Sequence, residues 1–259
     1  MTSEDKSRPP NPEFLRVVSE LRRAQHVLAL TGAGVSAESN LPTFRGESGW
    51  WRSMNPEELA TFAAFKENPQ FVWEWYDHRR RLVAEAAPNA AHRMLAGLES
   101  PRTDVFIITQ NVDDLHERAG SHHVIHIHGS IWTVTCLKDG NSYQDRRVPL
   151  PELPPRCPCG GILRPGVVWF DEDLPPAACA QIDEYFNKTK IDVALVVGTE
   201  ATFEYIRDWA LSAKHSGALL VEINPNLTVL SPYADVRLQG KAGEILGEMQ
   251  RQLSLSPGI

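Results

Sequence analysis

The sequence predicts an α/β fold, in which a parallel sheet is covered by helices on both faces. Short apolar runs, typical of buried strands, alternate along the chain with segments of helical periodicity. The first of these runs, His26–Thr31, ends at the turn Gly32-Ala33-Gly34. A strand followed by a Gly-rich turn is typical of folds that bind phosphate groups at the edge of a parallel sheet.

The elements can be assigned in order along the chain. Asn11-Pro12-Glu13 favours the start of a helix, because Asn caps helices and Pro and Glu suit the first turn. Further helices are expected within 57–100, 113–119, 175–187, 205–214 and 241–253, and strands at 26–31, 105–109, 124–127, 167–170, 193–197 and 218–223. Residues 130–165 are rich in Pro and lack periodicity, and residues 1–10 read as a disordered tail.

Composition excludes several classes of function. No apolar run has the length of about eighteen residues that a membrane span requires, so no membrane partner is expected. The net charge of −7, from 26 basic and 33 acidic residues, gives no general attraction to nucleic acid. The N-terminal residues resemble neither a signal nor a transit peptide, so we expect a cytoplasmic location, with nuclear and mitochondrial locations as alternatives.

The cysteines favour a metal site over disulfides. Cys136, Cys157 and Cys159 lie within 24 positions, whereas Cys179 stands apart in a predicted helix and is expected in the core. Without a secretory signal, a disulfide framework is the weaker explanation for such a cluster.

Small and polar residues follow the predicted strands. Because parallel strands end at one edge of their sheet, these residues are expected to meet there. They are Gly32, Gly34, Gln110, Asn111, Asp113, Gly198 and Asn224. The Gly-rich turn alone is a weak signal, since most such turns only permit a tight bend.

Longer blocks carry a resemblance to a known family. Residues 32–46 read GAGVSAESNLPTFRG, residues 109–120 read TQNVDDLHERAG, and His128-Gly129-Ser130 follows. With Gly198-Thr199 and Ile223-Asn224-Pro225, the chain from about 14 to 250 resembles the sirtuins, which are NAD-dependent protein deacylases. The resemblance implies one sirtuin domain over 11–259, with a Rossmann-like large part (about 14–35, 100–130 and 166–259). It also implies a small module, helical at 36–99 and zinc-ribbon-like at 131–165.

The resemblance implies NAD as cosubstrate, acyl-lysine proteins as substrates and a monomeric state. The implied NAD-binding residues are Gly32, Ala33, Gly34, Ser36, Phe44, Arg45, Trp51, Gln110, Asn111, Asp113, Gly198, Thr199, Asn224 and Ala242. Phe44 would shield a reactive sugar from water, and Arg45 would pair with phosphate. The alternative is that Phe44 is a core residue and Arg45 a surface charge.

His128 is implied as the catalytic base, with Asn111 and Asp113 holding the ribose and a water. In the implied reaction the acyl oxygen of the substrate displaces nicotinamide from the ribose. A ribose hydroxyl, deprotonated by the base, then attacks the acyl carbon, and addition of one water releases free lysine and leaves O-acyl-ADP-ribose. An imidazole with a pKa near neutrality would suit this proton transfer. The neighbouring His122 and His123 are expected to be solvated.

A Tyr-x-x-Arg pair points to the acyl group. Tyr76 and Arg79 lie three positions apart in a predicted helix and share a face. The alternative is that Tyr76 packs among other aromatic residues and Arg79 is a solvated charge. The sirtuin branch that removes succinyl, malonyl and glutaryl groups carries this pair, and also a small residue where Ala60 stands. The pair would grip a carboxylate, and Ala60 would leave room for a longer chain. Val168 and Phe170 are implied as further substrate contacts.

The chain also departs from the family pattern. The implied zinc ligands are Cys136, Cys157, Cys159 and Asp139, where the family has a fourth cysteine in place of Asp139. Phe170-Asp171-Glu172 replaces Phe-Gly-Glu, and Glu200 replaces a serine beside the cofactor phosphates. Three alternatives stay open: a lysine deacetylase, a degenerate sirtuin that binds NAD or a partner but turns over slowly, and an NAD hydrolase.

Overall fold

A six-stranded parallel sheet forms the centre of the protein. The structure is a computed structural model and describes residues 11–43 and 55–255. The strand order is β3-β2-β1-β7-β8-β9, so the chain changes direction across the sheet at β1. The strands are β1 His26–Thr31, β2 Asp104–Thr109, β3 His123–His126, β7 Val193–Val197, β8 Leu219–Ile223 and β9 Val236–Leu238. The predicted parallel sheet with helices on both faces is confirmed.

Helices cover both faces of this sheet. The helices of the large part are α1 Pro12–Arg23, α2 Ala33–Ser36, α6 Ala90–Leu98, α7 Leu115–Ala119, α8 Pro176–Lys188, α9 Glu204–His215 and α10 Ala242–Ser254. On β1, Val27 and Ala29 pack in the core under α1, α6 and α10. Leu28 and Leu30 point the other way, into the core under α8 and α9. This alternation follows from the twofold repeat of a strand, and it explains why residues 27–30 of β1 are all apolar.

The start of α1 agrees with the sequence analysis. The Asn11 side chain accepts a hydrogen bond from the Glu13 amide at 3.0 Å, and Pro12 occupies the first turn. The cap satisfies one of the amides that a helix start leaves without a partner.

A small module packs beside the sheet. It contains the helices α3 Pro56–Leu59, α4 Phe62–Glu67 and α5 Pro69–Glu85, and the antiparallel strands β4 Gly129–Cys136, β5 Ser142–Gln144 and β6 Leu163–Val167, in the order β5-β4-β6. The two halves share one core, in which the Trp73 ring nitrogen donates to the Leu163 carbonyl at 2.7 Å. The buried Arg80 guanidinium donates to the carbonyls of Ile131 and Arg147.

Several boundaries differ from those expected. The eight-residue β4 lies in the stretch that shows no periodicity, because a register irregularity between Gly129 and Val134 breaks its alternation. The strand expected at 167–170 ends at Val167, and β9 has only three residues, too few to form a pattern. Helix α6 packs in the sheet core with α1 and α10. In the described part of the chain no helix combines the length and apolarity needed to cross a bilayer.

Candidate active site

Two loops meet backbone to backbone at the carboxyl edge of the sheet. The Gly34 amide donates to the Gly198 carbonyl at 2.8 Å, and Gly198 has a φ of 62°. A Cβ at Gly34 would lie 2.8 Å from the Gly198 Cα, closer than real contacts allow. Glycine is therefore required at both positions, and the edge of the sheet stays open for a ligand to approach the main chain.

Polar side chains form one network beside this contact. The Asn111 amide donates to the Gly32 carbonyl and to the Ser36 hydroxyl, both at 3.1 Å. Ser36 donates in turn to the Asp113 carboxylate at 3.0 Å. Burial raises the pKa of Asp113, while hydrogen bonds from Leu115 and Ser36 lower it. Three of the residues expected to bind NAD thus hold one another in place.

The remaining loop ends join the same edge. The Gln110 amide donates to the Thr199 hydroxyl at 2.9 Å, and the Asn224 amide donates to the Thr199 carbonyl at 3.0 Å. Ala33 opens α2, and Ala242 opens α10 as a buried residue of the core. Glycine backbone and amide side chains at this edge suit a dinucleotide. The predicted cofactor contacts Phe44, Arg45 and Trp51 lie outside the described residues.

His128 lies between β3 and β4, above the same edge. Its Nδ1 bonds the Gln110 carbonyl oxygen at 3.0 Å. Since a carbonyl only accepts, Nδ1 carries the proton, and the lone pair of the neutral ring is on Nε2. That nitrogen accepts from the Tyr205 hydroxyl at 2.7 Å. Burial lowers the pKa of His128 to about 4, below the near-neutral value expected from the sequence.

The other histidines of this segment form pairs with carboxylates. His126 bonds the Asn111 carbonyl at 2.9 Å and Glu117 at 2.6 Å. Burial alone would lower the pKa of His126, but the hydrogen bond and charge of Glu117 outweigh it and raise the pKa. His122 and His123 are exposed, as expected, and bond Glu99 and Asp104.

Tyr76 and Arg79 lie on one face of α5. Tyr76 is buried, and its hydroxyl oxygen accepts from the Trp169 ring nitrogen at 2.9 Å. Burial lowers the pKa of the partly buried Arg79, while the nearby Tyr76 and Asp113 raise it. Arg79 therefore lies within electrostatic range of Asp113 as well as of Tyr76.

The segment 168–170 connects His128 with the small module. The Val168 amide donates to the His128 carbonyl at 2.9 Å, and the Phe170 amide donates to the Ala60 carbonyl at 3.0 Å. These long-range bonds replace the strand pairing expected for this segment. They bring together Ala60, Val168 and Phe170, the residues expected from the sequence to contact the substrate.

Asp171 has a local structural role. Its carboxylate accepts from the Phe62 amide, at the first turn of α4, at 2.9 Å. A carboxylate there satisfies an unpaired amide and suits the positive end of the helix dipole. The departure from the family pattern at Asp171 is thus explained by the capping of α4, whereas Glu200 is exposed directly after β7.

Three cysteines and one aspartate converge in the small module. One donor atom from each of Cys136, Asp139, Cys157 and Cys159 lies within 4.8 Å of all the others. The amides of Lys138 and Gly161 donate to the sulfurs of Cys136 and Cys159, both at 3.4 Å. Three thiolates and a carboxylate at this spacing suit a structural zinc ion. Cys179, expected in the core, is only partly buried on α8.

Two aromatic residues of this site were not predicted from the sequence. Tyr205 bonds His128, and the Phe203 ring lies edge-on to the His128 ring with centroids 5.6 Å apart. The only available signal was the position of both residues just after Gly198-Thr199, at the end of a predicted strand.

Known proteins resemble this chain over most of its length. The profile of the Sir2 family matches residues 32–204. An NAD-dependent protein deacylase of Aquifex aeolicus is 47% identical over 84% of this chain and 90% of that protein. A crystal structure of a Sir2 homologue with NAD matches with a TM-score of 0.86 at 44% identity, over 92% of this chain and 93% of that one. A Sir2 homologue variant in complex with 2′-O-acetyl-ADP-ribose matches with a TM-score of 0.85 at 43% identity, over 94% of this chain and 99% of that one.

Proposed function

Because the chain belongs to the Sir2 family and is an NAD-dependent protein deacylase, we propose that it prefers lysines carrying acidic acyl groups, namely succinyl, malonyl and glutaryl. The observation that supports this preference is the Tyr76–Arg79 pair on one face of α5. Both residues are at least partly buried, beside the network that contains Asp113.

The two side chains offer complementary donors for a carboxylate. The Tyr76 oxygen accepts from Trp169, so its own proton remains available to donate. The Arg79 guanidinium presents a planar fork that matches the two oxygens of a carboxylate. An acidic acyl group would gain a charge-assisted bond and a neutral one, whereas an acetyl group would gain neither.

The size of Ala60 agrees with a longer acyl chain. Ala60 is buried, and its carbonyl accepts from the Phe170 amide in the expected substrate segment. We expect the small side chain at this position to leave room for a longer acyl chain.

The residues around His128 provide the machinery of the reaction. NAD supplies the ribose that receives the acyl group and the nicotinamide that leaves. The His128 Nε2 takes the proton from a ribose hydroxyl, since Nδ1 is occupied by the Gln110 carbonyl. Asn111 and Asp113, both held by Ser36, position the ribose and a water.

Zinc would serve a structural role in this scheme. Its ligands would come from the end of β4 and the turn that follows it, and from the loop before β6. The ion would tie these two loops together, without contact to the reacting atoms.

Matched peptides test the acyl preference. We would measure kcat/KM for one peptide carrying succinyl-, malonyl-, glutaryl- or acetyl-lysine, with and without NAD. Succinyl should exceed acetyl by roughly two to three decades, the cost of removing one partner from a buried charged pair. Arg79→Met should collapse succinyl turnover and leave acetyl turnover equal or improved, and Tyr76→Phe should act more weakly.

Arg81→Met provides the matched control on the same helix. Arg81 is half-exposed and pairs with Asp77 at 2.7 Å, so its loss should leave the acyl preference unchanged. A wild-type enzyme with a higher kcat/KM for the acetyl peptide than for the acidic acyl peptides would contradict the proposal. Equal damage to both substrates by Arg79→Met would show that Arg79 is structural.

A further inference from the structure

Tyr205 is held rigidly against the catalytic histidine. It is the second residue of α9, and its hydroxyl lies 2.7 Å from the His128 Nε2. Its ring stacks on Phe203, with centroids 5.3 Å apart and planes 11° apart. Trp209, one turn further along α9, contacts the ring at a centroid distance of 5.5 Å. These neighbours fix the ring so that the hydroxyl points at the imidazole.

The direction of each hydrogen bond at His128 is determined. Because the Gln110 carbonyl only accepts, the ring proton is on Nδ1. Nε2 then carries the single lone pair of the neutral ring, and the Tyr205 hydroxyl must be the donor to it. Burial raises the pKa of Tyr205, so the phenol keeps this proton at working pH.

We propose that Tyr205 caps the base: its hydroxyl occupies the Nε2 lone pair of His128 and must leave before a ribose hydroxyl can deliver its proton there. The inference rests on the proposed role of His128. One lone pair cannot serve two donors at once, so Tyr205 and the ribose compete for the same acceptor. Tyr205 is therefore a positioning residue, which keeps the Nε2 atom of His128 blocked until the substrate binds.

The proton transfer itself does not involve the phenol. The ribose O–H bond breaks, its electron pair stays on the ribose oxygen, and the proton forms a bond with the Nε2 lone pair. Tyr205 keeps its own proton throughout.

A row of aromatic rings connects the cap to the expected substrate segment. The Phe170 and Phe203 rings stack with centroids 6.3 Å apart, and Phe203 stacks on Tyr205. Phe170 is 46% exposed, so a peptide laid along this segment can reach it. A peptide that displaces the Phe170 ring would also shift Phe203 and, through it, Tyr205. Peptide binding would in this way move the Tyr205 hydroxyl off the His128 Nε2.

Tyr205→Phe is the direct test, because it keeps the ring and removes only the hydroxyl. Losing one competing hydrogen bond should raise kcat/KM for the best acyl peptide by roughly two- to tenfold. The donor also stabilises the neutral imidazole, so its loss should move the acid limb of kcat/KM upward by roughly half to one pH unit. A nitrogen-15 NMR titration of the His128 ring, in enzyme without substrate, should show that the pKa of His128 rises by the same amount.

Two controls isolate the hydroxyl. Tyr185→Phe removes a phenol on α8, where the ring stacks on Phe106 at 4.0 Å, and should change none of these quantities. Cys179 faces Tyr205 from α8 as a further titratable group, so Cys179→Ala shows whether the thiol contributes to the pH profile.

The outcomes separate this inference from the proposed function. An unchanged pH profile and unchanged His128 NMR in Tyr205→Phe would overturn the cap. A fall in kcat/KM would also overturn it, since the phenol would then assist the reaction. A wild-type enzyme with no NAD-dependent turnover would refute the role of His128 instead, while the NMR titration would still test the Tyr205–His128 bond.

Discussion

Lowering the pH from 8 to 5 should leave the base largely in its proton-accepting form. Burial lowers the pKa of His128 to about 4, whereas an exposed histidine titrates near 6.5. Only the neutral ring can accept a proton, so the fraction of His128 that can act as a base increases as pH rises through its pKa in the folded protein. At pH 5 about 90% of His128 would be neutral, against about 3% for an unperturbed ring, a difference of roughly thirtyfold.

The assay is kcat/KM between pH 4.5 and 8 at constant ionic strength and saturating NAD. With an acetyl-lysine peptide the pH dependence reports groups of the enzyme, because the acetyl group does not titrate in this range. His128→Ala supplies the baseline and should lose roughly a hundredfold or more of the activity at every pH. An acid limb centred near pH 6.5 would refute the argument that burial sets this pKa. Full activity in His128→Ala would refute the assignment of the base.

Two further predictions concern the scaffold. Purified protein should contain up to one zinc per chain, and Cys157→Ser should lower both the zinc content and the melting temperature; chelator-insensitive melting with no detectable metal would contradict the cysteine–aspartate site. The fully buried His92 and His116 have pKa values lowered by burial to about 4 and about 3, so the stability gained by keeping them neutral is complete above about pH 6.5 and is lost progressively as pH falls from there to these values. Denaturant unfolding at pH 5 should therefore show a loss of about 2 kcal/mol for each histidine relative to pH 7, and equal stability at both pH values would contradict their neutral burial.

Much of the sheet was predictable because its strands are buried on both faces. Such strands read as continuous apolar runs, and β1 and β7 were predicted at their observed bounds. The edge strand β9 was missed because three residues carry no period, and β4 because an irregularity interrupts its alternation.

The polar residues at the strand ends were predictable for a topological reason. Parallel strands deliver their carboxyl ends to one edge, so Gln110, Asn111 and Asn224 had to approach one another and the Gly-rich turn. The directions of their hydrogen bonds, and the position of Ser36 between Asn111 and Asp113, depend on the three-dimensional arrangement of these side chains, which the order of residues along the chain does not specify.

The contact between Tyr205 and His128 was not predictable in the same way. The two residues are 77 positions apart, and the contact depends on how α9 lies across the end of the sheet. Likewise, the low pKa of His128 depends on how tightly its surroundings exclude water, which a local sequence motif does not encode.

The hydrogen bond between Trp169 and Tyr76 would couple the proposed acyl preference to the choice of peptide. Trp169 lies between Val168 and Phe170, the expected substrate contacts, and its ring nitrogen donates to the Tyr76 hydroxyl oxygen. Any substitution that moves this segment to accept a new peptide would disturb the hydroxyl that we propose binds the acyl carboxylate. Engineered variants of this enzyme should thus change both preferences together, and a library that varies residues 168–170 would need to be screened on acyl groups and peptide sequences at the same time.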